Sequence, residues 1–413
     1  MITDSQSKSG INTFDNTTLA FAYKSDKDLK KAYRLFSMMQ YNWLVWLGTR
    51  LTPWAIRIGL PIKKIIRNTL FKQFVGGETL QATIPVVHLL AQHNVQVILD
   101  YGAEGKENEE SFEAAKNTFV QVIEFAASQK NIPFISIKLT AIASFSLLEK
   151  LHGIQINRHH KNSYENILTN EERIEWEKVQ QRLLHICTTA KKNNIGVLID
   201  AEESWIQEPI DLLAMQMMQK FNSKTLGEKA VVYNTIQLYR TDRFAFLQES
   251  LNTAQQNNYI LGVKLVRGAY MEKERNRAKA LRYLSPIQPT KFLSDKHYNE
   301  AIHFCIDHID HIATIIASHN EESNLLAAQL LEQKQLPFHN PNMHFSQLYG
   351  MSDHVSFNLA KANYSVSKYI PFGPIKDVVP YLMRRAQENS SVKGQTGREL
   401  SLLKKEIKRR KIL

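Results

Sequence analysis

A continuous apolar run that ends on an acid occupies the stretch Ile195-Gly-Val-Leu-Ile-Asp-Ala201, and it directly follows the helix-like segment Glu171–Lys192. Apolar runs without polar alternation are typical of strands that are covered on both faces of a parallel sheet. A helix followed by such a strand is the repeating unit of α/β proteins. The stretch therefore predicts an α/β fold with a polar group, Asp200, at the end of one strand.

The same unit recurs along most of the chain. Helix-like segments such as Ser111–Ser128 separate eight β-rich runs, and eight units over about 300 residues fit a closed (β/α)8 TIM-type barrel. An open, doubly wound sheet is the alternative, and the number of strands disfavours it. The runs are Val95–Tyr101, Pro133–Ile142, Ile195–Ala201, Val231–Tyr239, Tyr259–Gly268, Ala313–His319, Met343–Tyr349 and Ser365–Pro371.

Chemically capable side chains lie at or beside the C-terminal ends of most of these runs. Active sites of such barrels form at that face, because the strand ends converge on one opening. We therefore expect the functional site there. The residues concerned are Lys138, Asp200, Gln237, Arg267, His319 and Tyr369.

The net charge of +12 is concentrated in two terminal segments. Residues 30–72 contain nine Lys/Arg and no acid, and residues 392–413 contain eight Lys/Arg and two Glu, so the centre of the chain is not basic. No nucleic-acid-binding motif accompanies either segment, and nucleic acid is not an expected partner. The predicted divisions are a basic N-terminal helical arm (1–73), the barrel (74–392) and a basic C-terminal tail (393–413).

The basic arm has an amphipathic pattern, because Phe36, Met39, Trp43 and Trp46 are spaced three or four residues apart. Two interpretations stay open: a helical arm that packs on the barrel, or a peripheral contact with an anionic membrane surface, to which the tail Lys404–Lys411 would contribute.

Several further features bear on location. No apolar run reaches the roughly 18 residues of a membrane-spanning helix, and the N-terminus lacks the pattern of a secretory signal. The two cysteines, Cys187 and Cys305, lie far apart in sequence and are expected to be buried filler in a reducing compartment. A cytoplasmic location with a contact at the inner membrane surface is expected. The insertion Leu151–Asn170, with His159 and His160, is predicted to be a surface excursion.

Common cofactor motifs are absent from the sequence. Neither a G-x-G-x-x-G motif nor a Walker loop occurs, so a Rossmann-type fold is not indicated. His297, His308 and His311 would share one face of a continuous helix. No carboxylate accompanies them at a known ligand spacing, so no metal site is predicted.

Two groups of basic residues leave alternatives open. Lys138 after its strand is a Schiff-base nucleophile of an aldolase-like enzyme, a fixed positive charge, or a solvated strand end. Arg384 and Arg385, adjacent on a predicted helix, suit a ligand carboxylate, and Glu388 is placed to hold one of them. The alternative for the arginines is a solvated helix face.

The basic termini leave a further alternative for the whole chain. They would also suit a nucleic-acid- or membrane-binding protein that is not an enzyme.

The stretch Lys264-Leu-Val-Arg-Gly-Ala-Tyr270 resembles the signature of the proline dehydrogenases, a flavin family on a distorted β/α barrel. Further motifs occur in the order of that family and together cover residues 74–390. They are Phe74-Val-Gly-Gly-Glu-Thr79, Ile137-Lys-Leu-Thr140, Ile199-Asp-Ala-Glu-Glu203, Gln237, Ser318-His-Asn320, Leu348-Tyr-Gly-Met351, Tyr369-Ile-Pro-Phe-Gly373 and Tyr381–Asn389.

The resemblance implies a reaction. L-Proline would be oxidised to Δ1-pyrroline-5-carboxylate, with its deprotonated amine driving hydride transfer from C5 to N5 of FAD. A quinone would reoxidise the flavin. The chain leaves no room for the aldehyde dehydrogenase domain of bifunctional relatives, so a monofunctional enzyme is expected.

The resemblance also implies substrate contacts. Arg384 and Arg385 would clamp the proline carboxylate, Lys138 would add positive charge, and Glu78 would pair with Arg384 to close the pocket. Tyr369 would contact the ring edge that carries the hydroxyl of 4-hydroxyproline, which favours proline. The walls around the ring would be Tyr270, Leu348, Tyr369 and Tyr381.

The cofactor contacts implied by the resemblance come from several strand ends. Asp200 would be an orienting carboxylate beside Lys138 and the flavin, Ala269 would leave room for the flavin face, and Arg267 would stabilise the reduced flavin. Lys264 stands where some members of the family have arginine. Lysine keeps the positive charge but lacks the forked pair of N–H donors of a guanidinium group. The FAD-contacting positions are Gln237, Lys264, Val266, Arg267, Gly268, Ser318 and His319, and a further motif comprises Lys291, Asp295 and Tyr298.

Overall fold

The computed structural model describes residues 11–57, 62–102, 107–152, 167–224, 229–391 and 393–412. Eight parallel strands form one closed barrel, in which each strand pairs with its neighbours in chain order and the eighth closes onto the first. The predicted barrel is confirmed, and the open sheet is excluded. The strands are β1 Gln96–Tyr101, β2 Phe134–Ile137, β3 Gly196–Ile199, β4 Val232–Gln237, β5 Leu261–Val266, β6 Ile312–Ala317, β7 Met343–Leu348 and β8 Val366–Phe372.

Side chains fill the interior of the barrel. Ile98 and Tyr233 belong to a small buried cluster inside the ring of strands, and Tyr369 packs against it. Val97 and Leu99 instead belong to the larger cluster between strands and helices. Since alternate residues of a strand face opposite sides, the residue two positions after Ile98 also points inward.

The segments before the barrel are mainly helical, with one π-helical turn at Arg67–Phe71. In the first long helix, Ser25 accepts a hydrogen bond from the backbone of Asp28 and so caps the N-terminus. The helices are α1 Thr17–Ala20, α2 Asp26–Met39, α3 Asn42–Arg57, α4 Lys63–Ile66 and α5 Lys72–Phe74.

Helices cover the outside of the barrel, and they include the two segments predicted from the sequence. The helix after Thr169 starts with a capping box, in which Thr169 and Glu172 satisfy each other's backbone N–H groups. The helices are α6 Leu80–Ala91, α7 Glu109–Ala127, α8 Phe145–Leu151, α9 Asn170–Asn193, α10 Ser204–Phe221, α11 Arg243–Gln256, α12 Met271–Leu281, α13 Lys291–Asp307, α14 Glu321–Gln333, α15 Asp353–Lys361, α16 Ile375–Ser391 and α17 Lys393–Arg409.

The arm is helical, as predicted, but the four residues of its amphipathic pattern do not share one helix. α2 ends at Met39 and α3 begins three residues later, which interrupts the helical register. Phe36 and Met39 are buried, whereas Trp43 and Trp46 are 63% and 56% exposed. The buried pair therefore belongs to α2, and the exposed pair belongs to α3.

Both chain ends pack together beside the barrel. α17 contacts α2 and α16, and α3 also contacts α16. Leu402, Leu403 and Ile407 of α17 are buried in one cluster with Leu29 and Phe36 of α2. The segment predicted as a basic tail is thus an amphipathic helix whose apolar face is covered.

The remaining sequence expectations have mixed outcomes. α13 ends at Asp307, so His308 and His311 lie beyond it and do not continue its face. Among the described residues, no group of three or more His, Cys, Asp or Glu side chains could hold a metal ion. Cys187 and Cys305 are free and buried. His159 and His160 lie outside the described residues.

Candidate active site

Asp200 is the centre of a hydrogen-bond network at the C-terminal face of the barrel, one residue beyond β3. Its carboxylate accepts hydrogen bonds from Ser136 Oγ at 2.5 Å and from Tyr369 OH at 3.0 Å. Lys264 of β5 forms an ion pair with the same carboxylate. Side chains from β2, β5 and β8 thus converge on one acid, as expected where barrel strands meet at one opening.

Asp100 is a second carboxylate at this place, and it was not among the residues predicted from the sequence. It lies on β1 two residues after Ile98 and is 8% exposed. Burial raises its pKa to about 6; the Lys138 ammonium opposes this rise and the charge of Asp200 adds to it. The inward position of Ile98 was the available signal, since residues two apart share a strand face.

Lys138 follows β2 directly and is half-buried. Its positive charge acts to lower the pKa values of Asp100, Glu202 and Tyr270, all of which burial raises. One ammonium group therefore acts on three acidic groups at the barrel mouth. This arrangement favours the fixed-charge interpretation of Lys138 over a solvated strand end.

Glu202 is a further buried acid that sequence reasoning quoted only as part of a motif. Its carboxylate accepts hydrogen bonds from the Thr140 backbone N at 3.0 Å and from Thr140 Oγ1 at 2.6 Å. Burial raises the pKa of Glu202 to about 7, against the Lys138 charge. The Gln237 amide donates to the Glu202 backbone oxygen at 2.6 Å and to Tyr239 OH at 2.9 Å, so Gln237 is held rigidly.

The two predicted arginines lie on α16 at the same mouth. Arg385 donates to Glu388 Oε1 at 2.6 Å, and its guanidinium lies 5.1 Å from the Tyr381 ring centroid. Arg384 acts on the Tyr270 hydroxyl, whose pKa its charge lowers against the effect of burial. Arg385 Nε and Tyr381 OH are buried without a hydrogen-bond partner. Unpaired buried groups of this kind indicate a polar ligand.

Glu78 has a different partner from the predicted one. Its carboxylate accepts a hydrogen bond from Arg67 Nη2 at 2.5 Å. The Gly76-Gly77 segment before it pairs with the end of β8, where Gly76 N donates to Pro371 O at 2.9 Å. This places Glu78 at the barrel mouth on a surface ion pair, and its pairing with Arg384 stays a prediction.

Arg267, one residue beyond β5, is fixed by neighbouring side chains. Its guanidinium binds Asp295 and Ser323, and it lies 4.4 Å from the Tyr298 ring centroid. Its Nε atom is buried without a partner. Lys291 forms an ion pair with Asp295 at 2.5 Å, so the predicted Lys291, Asp295 and Tyr298 set meets at Arg267.

The turn after Arg267 leaves the backbone accessible. Gly268 has φ +69° and Tyr270 has φ 54°, both in the left-handed region. Gly268 and Ala269 are exposed, and a Cβ added at Gly268 would meet nothing closer than Met271 Sδ at 3.8 Å. This turn can therefore accommodate a flat group against its backbone.

His319 is placed beside the loop that follows β7. Its Nδ1 atom lies 3.0 Å from Ser352 Oγ. Burial, followed by the positive charge of Lys368, lowers the pKa of His319 to about 3, so the ring is neutral at ordinary pH.

The other predicted positions occupy the same face. Ser318 accepts a hydrogen bond from the Asn320 backbone N at 3.1 Å. Val266 ends β5, and Leu348 ends β7. Tyr369 lies in the middle of β8 rather than at its end, and it reaches the mouth through its long side chain.

Comparisons with known proteins identify relatives of this chain. The sequence model of the family "Proline dehydrogenase" matches residues 84–398. "Proline dehydrogenase 1, mitochondrial" of Dictyostelium discoideum is 31% identical, with 96% of this chain and 74% of that protein covered. "Hydroxyproline dehydrogenase" of Xenopus laevis is also 31% identical, with 94% of this chain and 88% of that protein covered.

A solved structure shares the fold. The crystal structure of proline utilization A (PutA) from Bdellovibrio bacteriovorus superposes with a TM-score of 0.68 at 20% identity. The match covers 94% of this chain but only 40% of that protein. With the family match over most of the barrel and relatives above 30% identity along nearly the whole chain, this chain belongs to the proline dehydrogenase family.

Proposed function

We propose that this chain oxidises L-proline to Δ1-pyrroline-5-carboxylate, with FAD as cofactor and a quinone as the final electron acceptor. The observation that carries the proposal is that one barrel mouth has both buried polar groups without a hydrogen-bond partner and a carboxylate network. Arg385 Nε and Tyr381 OH lack partners on one side. Asp200 is bonded to Lys264 and Tyr369 on the other.

The arginines of α16 would bind the substrate carboxylate. A guanidinium group presents parallel donors that match both carboxylate oxygens. Glu388 holds Arg385 from one side, and the Tyr381 ring supports its plane. This bracing fixes the guanidinium before substrate binds, so less side-chain freedom is lost on binding.

The pyrrolidine ring would lie between the carboxylate clamp and the Asp200 network. Tyr369 presents its ring there with its hydroxyl tied to Asp200. Tyr270 and Tyr381 are mostly buried, and Leu348 ends the neighbouring strand. These four side chains would give a largely apolar enclosure in which Asp200 fixes the Tyr369 hydroxyl, and this suits a small ring with one charged group.

The residues at the mouth fit FAD, a large anionic cofactor with a planar ring. The exposed Gly268-Ala269 turn provides an open surface, and the unpartnered Arg267 Nε provides a donor beside it. FAD, when bound, supplies the acceptor for the hydride of proline C5. The chain's residues toward it would be Asp200, Gln237, Lys264, Val266, Arg267, Gly268, Ala269, Lys291, Ser318 and His319.

A membrane surface is the partner that the arm fits best. Trp43, Trp46, Leu47 and Leu51 of α3 are exposed, and the Arg50 guanidinium lies 4.8 Å from the Trp46 ring. No acidic residue occurs between residues 29 and 77. Aromatic and basic residues of this kind suit the headgroup region of an anionic bilayer. No described helix is long and apolar enough to span a membrane.

This surface would also bring the site close to a quinone. α3 contacts α16, the helix that carries Arg384 and Arg385. A quinone dissolved in the bilayer would therefore be near the barrel mouth, and the enzyme would act from the membrane surface.

The proposal is tested by a turnover assay with the purified protein, L-proline and a short-chain ubiquinone. Proline-dependent quinone reduction with formation of the pyrroline product is the expected result. Quinone reduction that does not depend on proline, or no product with FAD supplied, would contradict it.

A further inference from the structure

The loop after β7 joins two walls of the candidate site. It starts at Leu348, a predicted wall of the ring pocket, and ends at Ser352, whose Oγ lies 3.0 Å from His319 Nδ1. Ser352 is 1% exposed and has φ 50°, in the left-handed region. A non-glycine residue keeps such a conformation only when its surroundings hold it there.

Two buried charged groups hold this loop. Glu399 Oε2 accepts a hydrogen bond from the Ser352 backbone N at 3.2 Å. Lys368 Nζ donates to the Met351 backbone oxygen at 2.6 Å and forms an ion pair with Asp353 at 2.9 Å. Lys368 belongs to β8, but Glu399 belongs to α17, the terminal helix of the chain.

Glu399 is placed for this contact rather than for solvent. It is 5% exposed, and burial raises its pKa, an effect that Lys368 opposes. A buried carboxylate is costly unless it is hydrogen-bonded or paired. Glu399 lies one position beyond the segment that matches the family, which ends at residue 398.

The start of α17 is itself fastened to the barrel. Arg398 binds Glu321 at the N-terminus of α14 at 2.7 Å, and it binds Asp15 at 2.5 Å. His354 also binds Glu321, at 3.0 Å. The helix therefore presents Glu399 to Ser352 from a fixed position.

We propose that Glu399 is a positioning residue for His319 and acts through Ser352. Helix α17 thereby completes the part of the candidate site that would contact the cofactor. Ser352 holds the Nδ1 atom of His319, so Nε2 is the ring nitrogen that would contact the FAD that the proposed function requires. The inference rests on that function. The terminal helix is then part of the cofactor site and not a surface attachment.

The test measures the FAD dissociation constant of the holoenzyme and of variants, from the fluorescence of released flavin. Glu399→Ala and Ser352→Ala should each raise it by about tenfold, the usual scale for one hydrogen bond to a charged or orienting group. Glu399→Gln keeps an oxygen acceptor and should stay within about threefold of the native value.

Two comparisons separate positioning from general stabilisation. Arg409→Gln removes a surface ion pair with Glu406 on the same helix and should leave the FAD dissociation constant unchanged. In a His319→Ala background, Glu399→Ala should add no further loss. An equal, additional loss there would overturn the inference, as would unchanged FAD affinity in Glu399→Ala and Ser352→Ala.

The outcome is distinct from that of the proposed function. A native protein that binds no FAD overturns both. A native protein that binds FAD, with Glu399→Ala and Ser352→Ala binding it equally tightly, overturns only the role of Glu399.

Discussion

The Tyr369 hydroxyl donates a hydrogen bond to Asp200 Oδ2 at 3.0 Å, which ties the middle of β8 to the end of β3. Burial raises the pKa of Tyr369, so the phenol stays protonated and keeps its donor role. The aromatic wall of the ring pocket and the central carboxylate therefore form one rigid unit. Under the proposed function, this contact would couple substrate selection to the charge network.

The first prediction concerns the substrate ring. With Tyr369 in its proposed place at the ring edge where a 4-hydroxyl would lie, kcat/KM should be at least about tenfold higher for L-proline than for trans-4-hydroxy-L-proline. Tyr369→Ser, which opens this space, should bring the kcat/KM values for the two substrates closer together. Steady-state kinetics with both substrates decides, and equal kcat/KM in the native enzyme would contradict the assignment.

The second prediction concerns the carboxylate clamp. Arg384→Ala should raise KM for proline by about tenfold or more, since a charge-assisted hydrogen bond is lost, while FAD content stays unchanged. Arg384→Lys is the matched control, because it keeps the charge and loses the fork, and its KM should be intermediate. Lost flavin with an unaltered KM would refute the role of Arg384.

The third prediction concerns Asp100 and pH. The folded protein has a pKa of about 6 at Asp100, above the ordinary value of 3.8, so between these values it holds a proton that the unfolded chain has lost. The free energy of unfolding should therefore fall as pH rises from about 4 to 6, by about 2 kcal/mol for this group. Asp100→Asn cannot ionise and should gain stability relative to the native protein over this range.

The melting temperature of the holoenzyme between pH 4.5 and 7 checks this sign. Asp310→Asn, at an exposed loop position, serves as the control and should follow the native pH profile. A profile of Asp100→Asn parallel to that of the native protein would show that Asp100 does not titrate in this range.

The fourth prediction concerns the exposed face of α3. The protein should sediment with anionic liposomes at low salt and be released at high salt, because basic residues there interact with headgroups through screened charges. Replacing Trp43 and Trp46 together by serine should reduce the bound fraction several-fold without changing proline turnover in solution. A native protein that remains in the supernatant at low salt would remove the membrane proposal.

The sequence predicted the barrel well, because the strands are short β-rich runs and helical segments separate most of them. Some buried strands do include polar residues, such as Asn234 in β4 and Lys368 in β8. Each of the eight runs overlaps an observed strand, although Pro133–Ile142 is part strand and part 3-10 turn. The polar strand ends Lys138, Asp200, Arg267 and His319 likewise occur at one face. These features are local in sequence, so local patterns could identify them.

Features that depend on distant contacts were not predictable in the same way. Glu399 contacts Ser352 across 47 positions of the chain, and no local pattern distinguishes it from a solvated helix residue. The Glu78 carboxylate pairs with Arg67, which begins a π-helical turn, and helix propensities do not predict such a turn. The helix break after Met39 likewise separates residues that their sequence spacing alone would place on one helix face.

The most direct test of the central claim is an anaerobic absorbance spectrum of the purified protein before and after addition of L-proline. We expect a yellow protein whose oxidised-flavin band, at roughly 450 nm, bleaches when proline is added. A flavin band that proline does not bleach would contradict the substrate. A colourless protein that stays inactive with FAD would contradict the proposed function. If borohydride also trapped a carbonyl substrate covalently on Lys138, the aldolase alternative would be favoured.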